Sequence, residues 1–226
     1  MKVKTIVITG GSSGLGLAIL KRFLKKKWKV YILSRTPPPP QFEFNSNPFF
    51  KFIKCDIRDS NQVVKAFGQL DGIDIFVNNA SIFKSKSFIE MDFVEINEIL
   101  DTNLKGTIYC TLSAIKKMKE GRIINISSVS GLHGIENQTI YSASKHGING
   151  FSNSLSKEYL DRNIKVTTIC PGGIDTPLWN LSNPYNGDST RLTKPKEIAD
   201  LIFFISMSSH KTVFKNITMF PDNEWH

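Results

Sequence analysis

The chain has 226 residues, 40% hydrophobic and 22% charged, with 29 lysines and arginines against 20 acidic residues for a formal charge of +9. That composition excludes a disordered or fibrous chain, and a domain of this size buries enough surface to dispense with disulfides or a structural metal. No apolar run approaches the ~20 residues a membrane helix needs, and neither the three cysteines nor the four histidines have metal-ligand spacing. The first residues run from two lysines straight into a Gly-rich turn, without a signal peptide's apolar core, so an intracellular, cytoplasmic protein is expected. The densest basic cluster, Lys21, Arg22, Lys25, Lys26 and Lys27, reads as the solvated face of a helix, and no nucleic-acid recognition motif accompanies it.

In chain order, Lys4 to Thr9 is a β-branched run, followed by Gly10-Gly11-Ser12-Ser13-Gly14-Leu15-Gly16 and a helical pattern to about Lys26. Strands follow at Lys29 to Ser34 and Phe49 to Lys54, then a helix from about Ser60 to Gln69 and a fourth strand at Asp74 to Asn78. Asp92 to Lys119 has helical spacing with a bend and leads to a fifth strand, Arg122 to Ser127. A helix from near Tyr141 to about Asp161 delivers the chain into a sixth strand, Lys165 to Cys170. Pro195 opens a last helix to about Met207, and Asn216 to Phe220 forms a seventh strand. This rhythm predicts an α/β fold: a doubly wound parallel sheet of about seven strands, with residues 1–226 as one domain. Between the second and third strands the chain reads Arg35-Thr36-Pro37-Pro38-Pro39-Pro40, which no helix interior accommodates, so a Pro-rich loop is expected in place of a crossover helix.

The chemistry starts at the glycine turn. A helix N-terminus offers unpaired N–H groups and a partial positive charge, and glycines let a pyrophosphate approach the backbone. Tyr141 and Lys145, four residues apart at the start of a helix, share one face. A phenol of ordinary pKa must lose roughly 3 units, about 4 kcal/mol, to exchange protons near neutrality. A lysine ammonium ~5 Å away is expected to supply about 3 kcal/mol of that at an effective dielectric of 20, and a cationic nicotinamide the remainder. Ser128 lies thirteen residues before Tyr141, just past the fifth strand. The glycine turn, Asn78-Asn79-Ala80, Ser128 and Pro171-Gly172 all fall at carboxyl ends of strands, where ligands of parallel sheets gather.

With these stretches in view the chain resembles a short-chain dehydrogenase/reductase of the compact, single-domain branch, with its Rossmann-type sheet. The likeness rests on Thr9-Gly10-Gly11-Ser12-Ser13-Gly14-Leu15-Gly16, Cys55-Asp56-Ile57, Asn78-Asn79-Ala80, Asn103, Ile126 to Gly131, Tyr141-Ser142-Ala143-Ser144-Lys145 and Pro171 to Thr176. By that resemblance Tyr141 would be the general acid/base, Lys145 would bind the nicotinamide ribose and lower the phenol's pKa, and Ser128 would hydrogen-bond the reacting carbonyl. Asn103 would hold a water linking Lys145 to solvent. Gly10, Ser12, Ser13, Gly14, Leu15 and Gly16 would form the cofactor cradle, and Asp56 with Ile57 would meet the adenine. Asn79 and Ala80 would line the adenosine-side ribose region, and Ile174 and Thr176 the carboxamide and diphosphate region. Two departures stand out: Ser81 replaces a usual glycine, and the C-terminal Phe220 to His226 lacks a usual glycine pair, which puts the C-terminal packing in doubt.

At the end of the second strand Leu33-Ser34-Arg35 carries no carboxylate for a ribose hydroxyl, whereas Ser34 and Arg35 suit a 2′-phosphate, so NADP(H) is expected over NAD(H). The expected activity is reduction of a carbonyl to an alcohol, or the reverse, on a small-molecule substrate. The alternative is a non-catalytic NADP(H)-binding sensor or scaffold, against which stand Ser128, Tyr141, Lys145 and Asn103. Residues Leu178 to Lys194 are expected as a lid, with Phe83, Leu132, His133 and Trp179 lining the pocket beneath. By resemblance the protein pairs into a homodimer or homotetramer.

Overall fold

The computed structural model describes residues 3–40, 44–180, 183–185 and 187–224. Its strands are β1 (Thr5–Thr9), β2 (Lys29–Ser34), β3 (Phe50–Lys54), β4 (Ile75–Asn78), β5 (Gly121–Ile126), β6 (Ile164–Pro171) and β7 (Asn216–Met219). They form one sheet in the order β3-β2-β1-β4-β5-β6-β7, parallel throughout, so every strand delivers its carboxyl end to the same edge. Alternate residues of each strand feed opposite cores. Val7, Tyr31, Leu33, Phe76 and Ile123 face one layer of helices, α2 (Ser60–Gly68), α4 (Gly106–Ile115) and α5 (Thr139–Glu158). Ile6, Ile8, Ile32, Val77 and Ile124 face the other, α1 (Gly14–Leu24) and α6 (Pro195–Met207). Burial on both faces explains why these strands read as continuous β-branched runs.

The expected bend between Asp92 and Lys119 is a change of helix type. Helix α3 (Phe93–Leu100) starts from a capping box, Asp92 Oδ1 accepting from Glu95 N at 2.7 Å and Glu95 Oε2 accepting from Asp92 N at 3.3 Å. It runs into a π-helical turn, Asp101–Lys105, before α4. Between β2 and β3 the described residues hold no α-helix, and Phe44–Ser46 form a 3-10 turn; residues 41–43 of the expected Pro-rich loop lie outside them. No helix of the described residues is long and apolar enough to cross a membrane.

Candidate active site

The turn after β1 shows why its residues must be small. Gly10 has φ +66°, and a Cβ there would lie 2.8 Å from the Ala80 Cα. On Gly16 a Cβ would overlap the Gly10 carbonyl oxygen and sit 2.7 Å from Asn79 Nδ2. The turn is latched to the end of β4: Thr9 Oγ1 accepts from the backbone N–H groups of Asn79 (3.0 Å) and Ala80 (3.1 Å), and Asn79 Nδ2 donates to the carbonyls of Thr9 and Gly10, both at 3.0 Å. Asn79, expected at the cofactor, therefore spends its side-chain amide on shaping the turn. Ser13 precedes α1 without a side-chain cap, leaving first-turn N–H groups available to an anion.

A cleft of about 700 Å³ runs along the carboxyl edge of the sheet. Gly10, Ser12, Ser13, Gly14 and Leu15 form one wall, Ser34, Arg35, Asp56 and Ile57 one end, Asn79 and Ala80 the floor, and Ser128, Tyr141, Lys145, Ile174 and Thr176 the remainder. Of the residues expected at the site, Gly16 and Asn103 do not line it. At the arginine end, Ser34 Oγ donates to Thr36 O at 2.8 Å and Arg35 is exposed. The sequence reading missed Arg58, which holds Asp56 in a fork: Nε reaches both carboxylate oxygens (3.0 and 3.1 Å) and Nη2 one of them (2.6 Å). The Arg58 guanidinium keeps the Asp56 carboxyl below the usual carboxylate range, with Arg35 adding to the effect.

At the other end Tyr141, Lys145 and Ser128 are 7%, 2% and 8% exposed. The hydroxyls of Ser128 and Ser81 lie beside the Tyr141 hydroxyl, where they favour its ionised form. Lys145 Nζ lies 5.4 Å from the Tyr141 ring centre and donates to the Ile126 carbonyl at 3.1 Å. Burial pushes the phenol up to about 12 against the pull of the two serine hydroxyls, and burial pushes the Lys145 ammonium down to about 8. A group this deprived of water holds its own charge poorly, so the lysine does not dominate the phenol in the unliganded protein.

That shift makes a stability prediction with a definite sign. Between pH 8 and the ordinary lysine value of 10.5 the unfolded chain keeps a proton that folded Lys145 has lost, so the penalty of burying the ammonium is full below pH 8 and vanishes by 10.5. Denaturant unfolding of the wild type relative to Lys145→Met should therefore improve across that window by roughly 1–3 kcal/mol. A difference that stays flat with pH would contradict it.

Asn103 sits in the π-helical turn with 0% exposure and a saturated side chain. Its Oδ1 accepts from Ile82 N (2.9 Å) and Ser81 Oγ (3.1 Å), and its Nδ2 donates to Ile82 O (3.0 Å) and Ser144 Oγ (3.2 Å). All four of its side-chain hydrogen bonds are thus met by protein groups. An extra residue in the turn points it inward, a placement that π-turns often mark at functional sites.

The roof is an aromatic ladder: Phe83 meets the Tyr141 ring edge-on at 4.9 Å, Trp179 meets Phe83 at 5.1 Å, and Tyr185 meets Trp179 at 5.1 Å. Glu224 ties off its far end, accepting from Tyr185 Oη at 2.6 Å and from Gly173 N at 2.8 Å. The C-terminal segment, unreadable in the sequence, thus reaches the cleft rim; Trp225 and His226 lie outside the described residues, as do Leu181, Ser182 and Asn186 of the expected lid. Phe83 and Trp179 line the pocket as expected, whereas Leu132 and His133 do not. The 3-10 turn Val129–Gly131 carries those two side chains outward, and Ile135 and Gln138 take their place.

Residues 4–186 match the family model described as short chain dehydrogenase. The chain belongs to that family. It is 33% identical over 223 residues to carbonyl reductase family member 4 of Xenopus laevis, covering 92% of this chain and 93% of that protein. It is 35% identical over 223 residues to the 3-oxoacyl-acyl-carrier-protein reductase FabG of Chlamydia trachomatis, covering 90% of each. Among solved structures, a dehydrogenase/reductase from Sinorhizobium meliloti superposes with a TM-score of 0.87 at 26% identity, over 100% of this chain and 96% of that one. An ElxO variant with NADPH bound gives 0.84 at 27% identity, over 96% and 97%. This short chain dehydrogenase is accordingly an NAD(P)-dependent oxidoreductase.

Proposed function

We propose that this dehydrogenase reduces the carbonyl of a small molecule to an alcohol with NADPH, Tyr141 giving its proton to the carbonyl oxygen. The observation that carries the reading is the convergence of Tyr141, Ser128 and Lys145 at one end of a cleft whose other end offers a glycine-lined helix N-terminus and two guanidinium groups. When bound, the dinucleotide supplies the hydride. The residues fit it: Gly10 and Gly16 leave no room for a Cβ, the first turn of α1 faces the cleft, and Ser34 and Arg35 offer a hydroxyl and a cation where a ribose phosphate would lie.

Ser128 orients the carbonyl oxygen, and the phenol donates to that oxygen as charge develops on it. Lys145 would hold the ribose of a bound dinucleotide, and its ammonium, so anchored, would favour the phenolate. Phe83, Trp179 and Tyr185 exclude water above the reacting carbon and favour an apolar body on the substrate. The carbonyl and 3-oxoacyl reductases named above support the reductive direction. We further propose a single domain, supported by the one continuous sheet, and a cytoplasmic homodimer or homotetramer, supported by the exposed apolar Ile108 and Leu112 on α4.

The test is NADPH consumption with a panel of carbonyls; no turnover on any of them, with NADPH still bound, would favour a sensor. Arg35→Ala should raise KM for NADPH by about 10-fold or more and leave KM for NADH within about twofold, since only a 2′-phosphate uses the guanidinium. Equal effects on both cofactors would remove the NADP(H) preference.

A further inference from the structure

Ser81 has no part in the reading above, yet its hydroxyl stands in the cleft against the phenol. A hydrogen-bonded chain runs from Ser81 to the backbone of Tyr141. Ser81 Oγ lies beside the Tyr141 hydroxyl and donates to Asn103 Oδ1 at 3.1 Å. Asn103 Nδ2 donates to Ser144 Oγ at 3.2 Å, and Ser144 Oγ donates to the Tyr141 carbonyl at 2.7 Å. The fully buried Asn103 thereby links the serine beside the phenol to the Tyr141 carbonyl.

A serine hydroxyl has one proton. With that proton on Asn103 Oδ1, Ser81 Oγ is left as an acceptor toward the phenol. We propose that Ser81 is a positioning residue for the proton transfer: it accepts from the Tyr141 hydroxyl in the resting protein and turns its own O–H onto the phenolate when the phenol's proton has left. The inference rests on the carbonyl-reductase reading. No proton passes through Ser81; the phenol's proton ends on the alcohol oxygen and the serine proton stays on Oγ throughout.

Two features make the turn favourable. Asn103 Oδ1 keeps its bond from Ile82 N at 2.9 Å, so it is not left bare when Ser81 swings away. The phenol's other hydroxyl partner, Ser128, is taken up by the substrate oxygen, which leaves Ser81 as the hydroxyl able to remain on the phenolate. The groups against Tyr141 are Phe83 and Ser81 from the segment after β4, Ser128 from the end of β5, and Lys145 from its own helix; of these only Lys145 can carry a charge. Burial strongly disfavours the phenolate, so a neutral donor kept in contact matters more here than it would in water.

The experiment is kcat/KM for alcohol oxidation with NADP⁺ against pH, for wild type, Ser81→Ala, Ser81→Thr and Tyr141→Phe. Oxidation needs the phenolate, so its ascending limb reports that group. Ser81→Ala should move the limb up by about one pH unit, making the enzyme about tenfold slower at pH 7 and converging on wild type at high pH. Ser81→Thr should keep the wild-type limb, and KM for NADP⁺ should not change in either. A limb that stays in place, whether the rate is unaltered or falls equally at every pH, overturns the role of Ser81 alone. An inactive wild type or a fully active Tyr141→Phe overturns the carbonyl-reductase reading and this inference with it.

Discussion

Replacing Tyr141 with phenylalanine is expected to lower kcat for carbonyl reduction by about a thousandfold or more, near 4 kcal/mol of barrier, and to leave the dissociation constant for NADPH within about threefold. The split follows from the surroundings. The ring keeps its edge-on packing at 4.9 Å on Phe83, so the wall of the cleft retains its shape. Loss of the hydroxyl strands no partner: Ser128 Oγ still accepts from Ser130 N at 3.1 Å and contacts Ser130 Oγ at 3.3 Å, and Ser81 still donates to Asn103. Folding stability should therefore change by less than about 1 kcal/mol, and the loss is chemical. Steady-state kinetics with NADPH fluorescence titration and thermal unfolding measures all three quantities. A variant retaining parental kcat would remove the phenol from the mechanism.

The other large effect belongs to the glycine turn. Gly16→Ala should weaken NADPH binding by about a hundredfold or more and lower stability by roughly 2–4 kcal/mol, equivalent to a fall in Tm of about 5–12 °C. The added methyl would overlap the Gly10 carbonyl oxygen and press on the Asn79 amide, both of which belong to the latch joining β1 to β4. Backbone held from two sides cannot yield as the tip of a side chain can, so α1 must lift away from the turn and take its first N–H groups with it. Gly68→Ala is the control, because nothing lies within 4 Å of a Cβ there and alanine is the better helix former. If Gly16→Ala bound NADPH like the parent, the turn would not be where the dinucleotide lies.

Much of the fold was legible because its signals are local or periodic. A strand covered on both faces must be apolar at successive positions, as Ile6, Val7 and Ile8 are, and a helix must carry its stripe at 3.6-residue spacing. The spacing from Tyr141 to Lys145 places them on one helical face whatever surrounds them. The bend near Asn103 was visible, but its π-helical form was not: the turn is stabilised by hydrogen bonds to Ile82, 21 residues earlier in the chain. Arg58 carried a weak signal, a basic residue two positions beyond Asp56 that could fold back on it.

What the amino-acid order determined by itself was the element sequence, the glycine-lined turn and the set of side chains proposed to react. Tertiary structure decided how those side chains behave. Whether a lysine depresses a phenol's pKa or burial raises it depends on how much water each group loses, a property of the assembled interior that spacing does not encode. The same holds for the roof, where Glu224 meets Gly173 across 51 residues and a short turn sends Leu132 and His133 outward, because contacts between distant segments exist only once the sheet has brought the strand ends together.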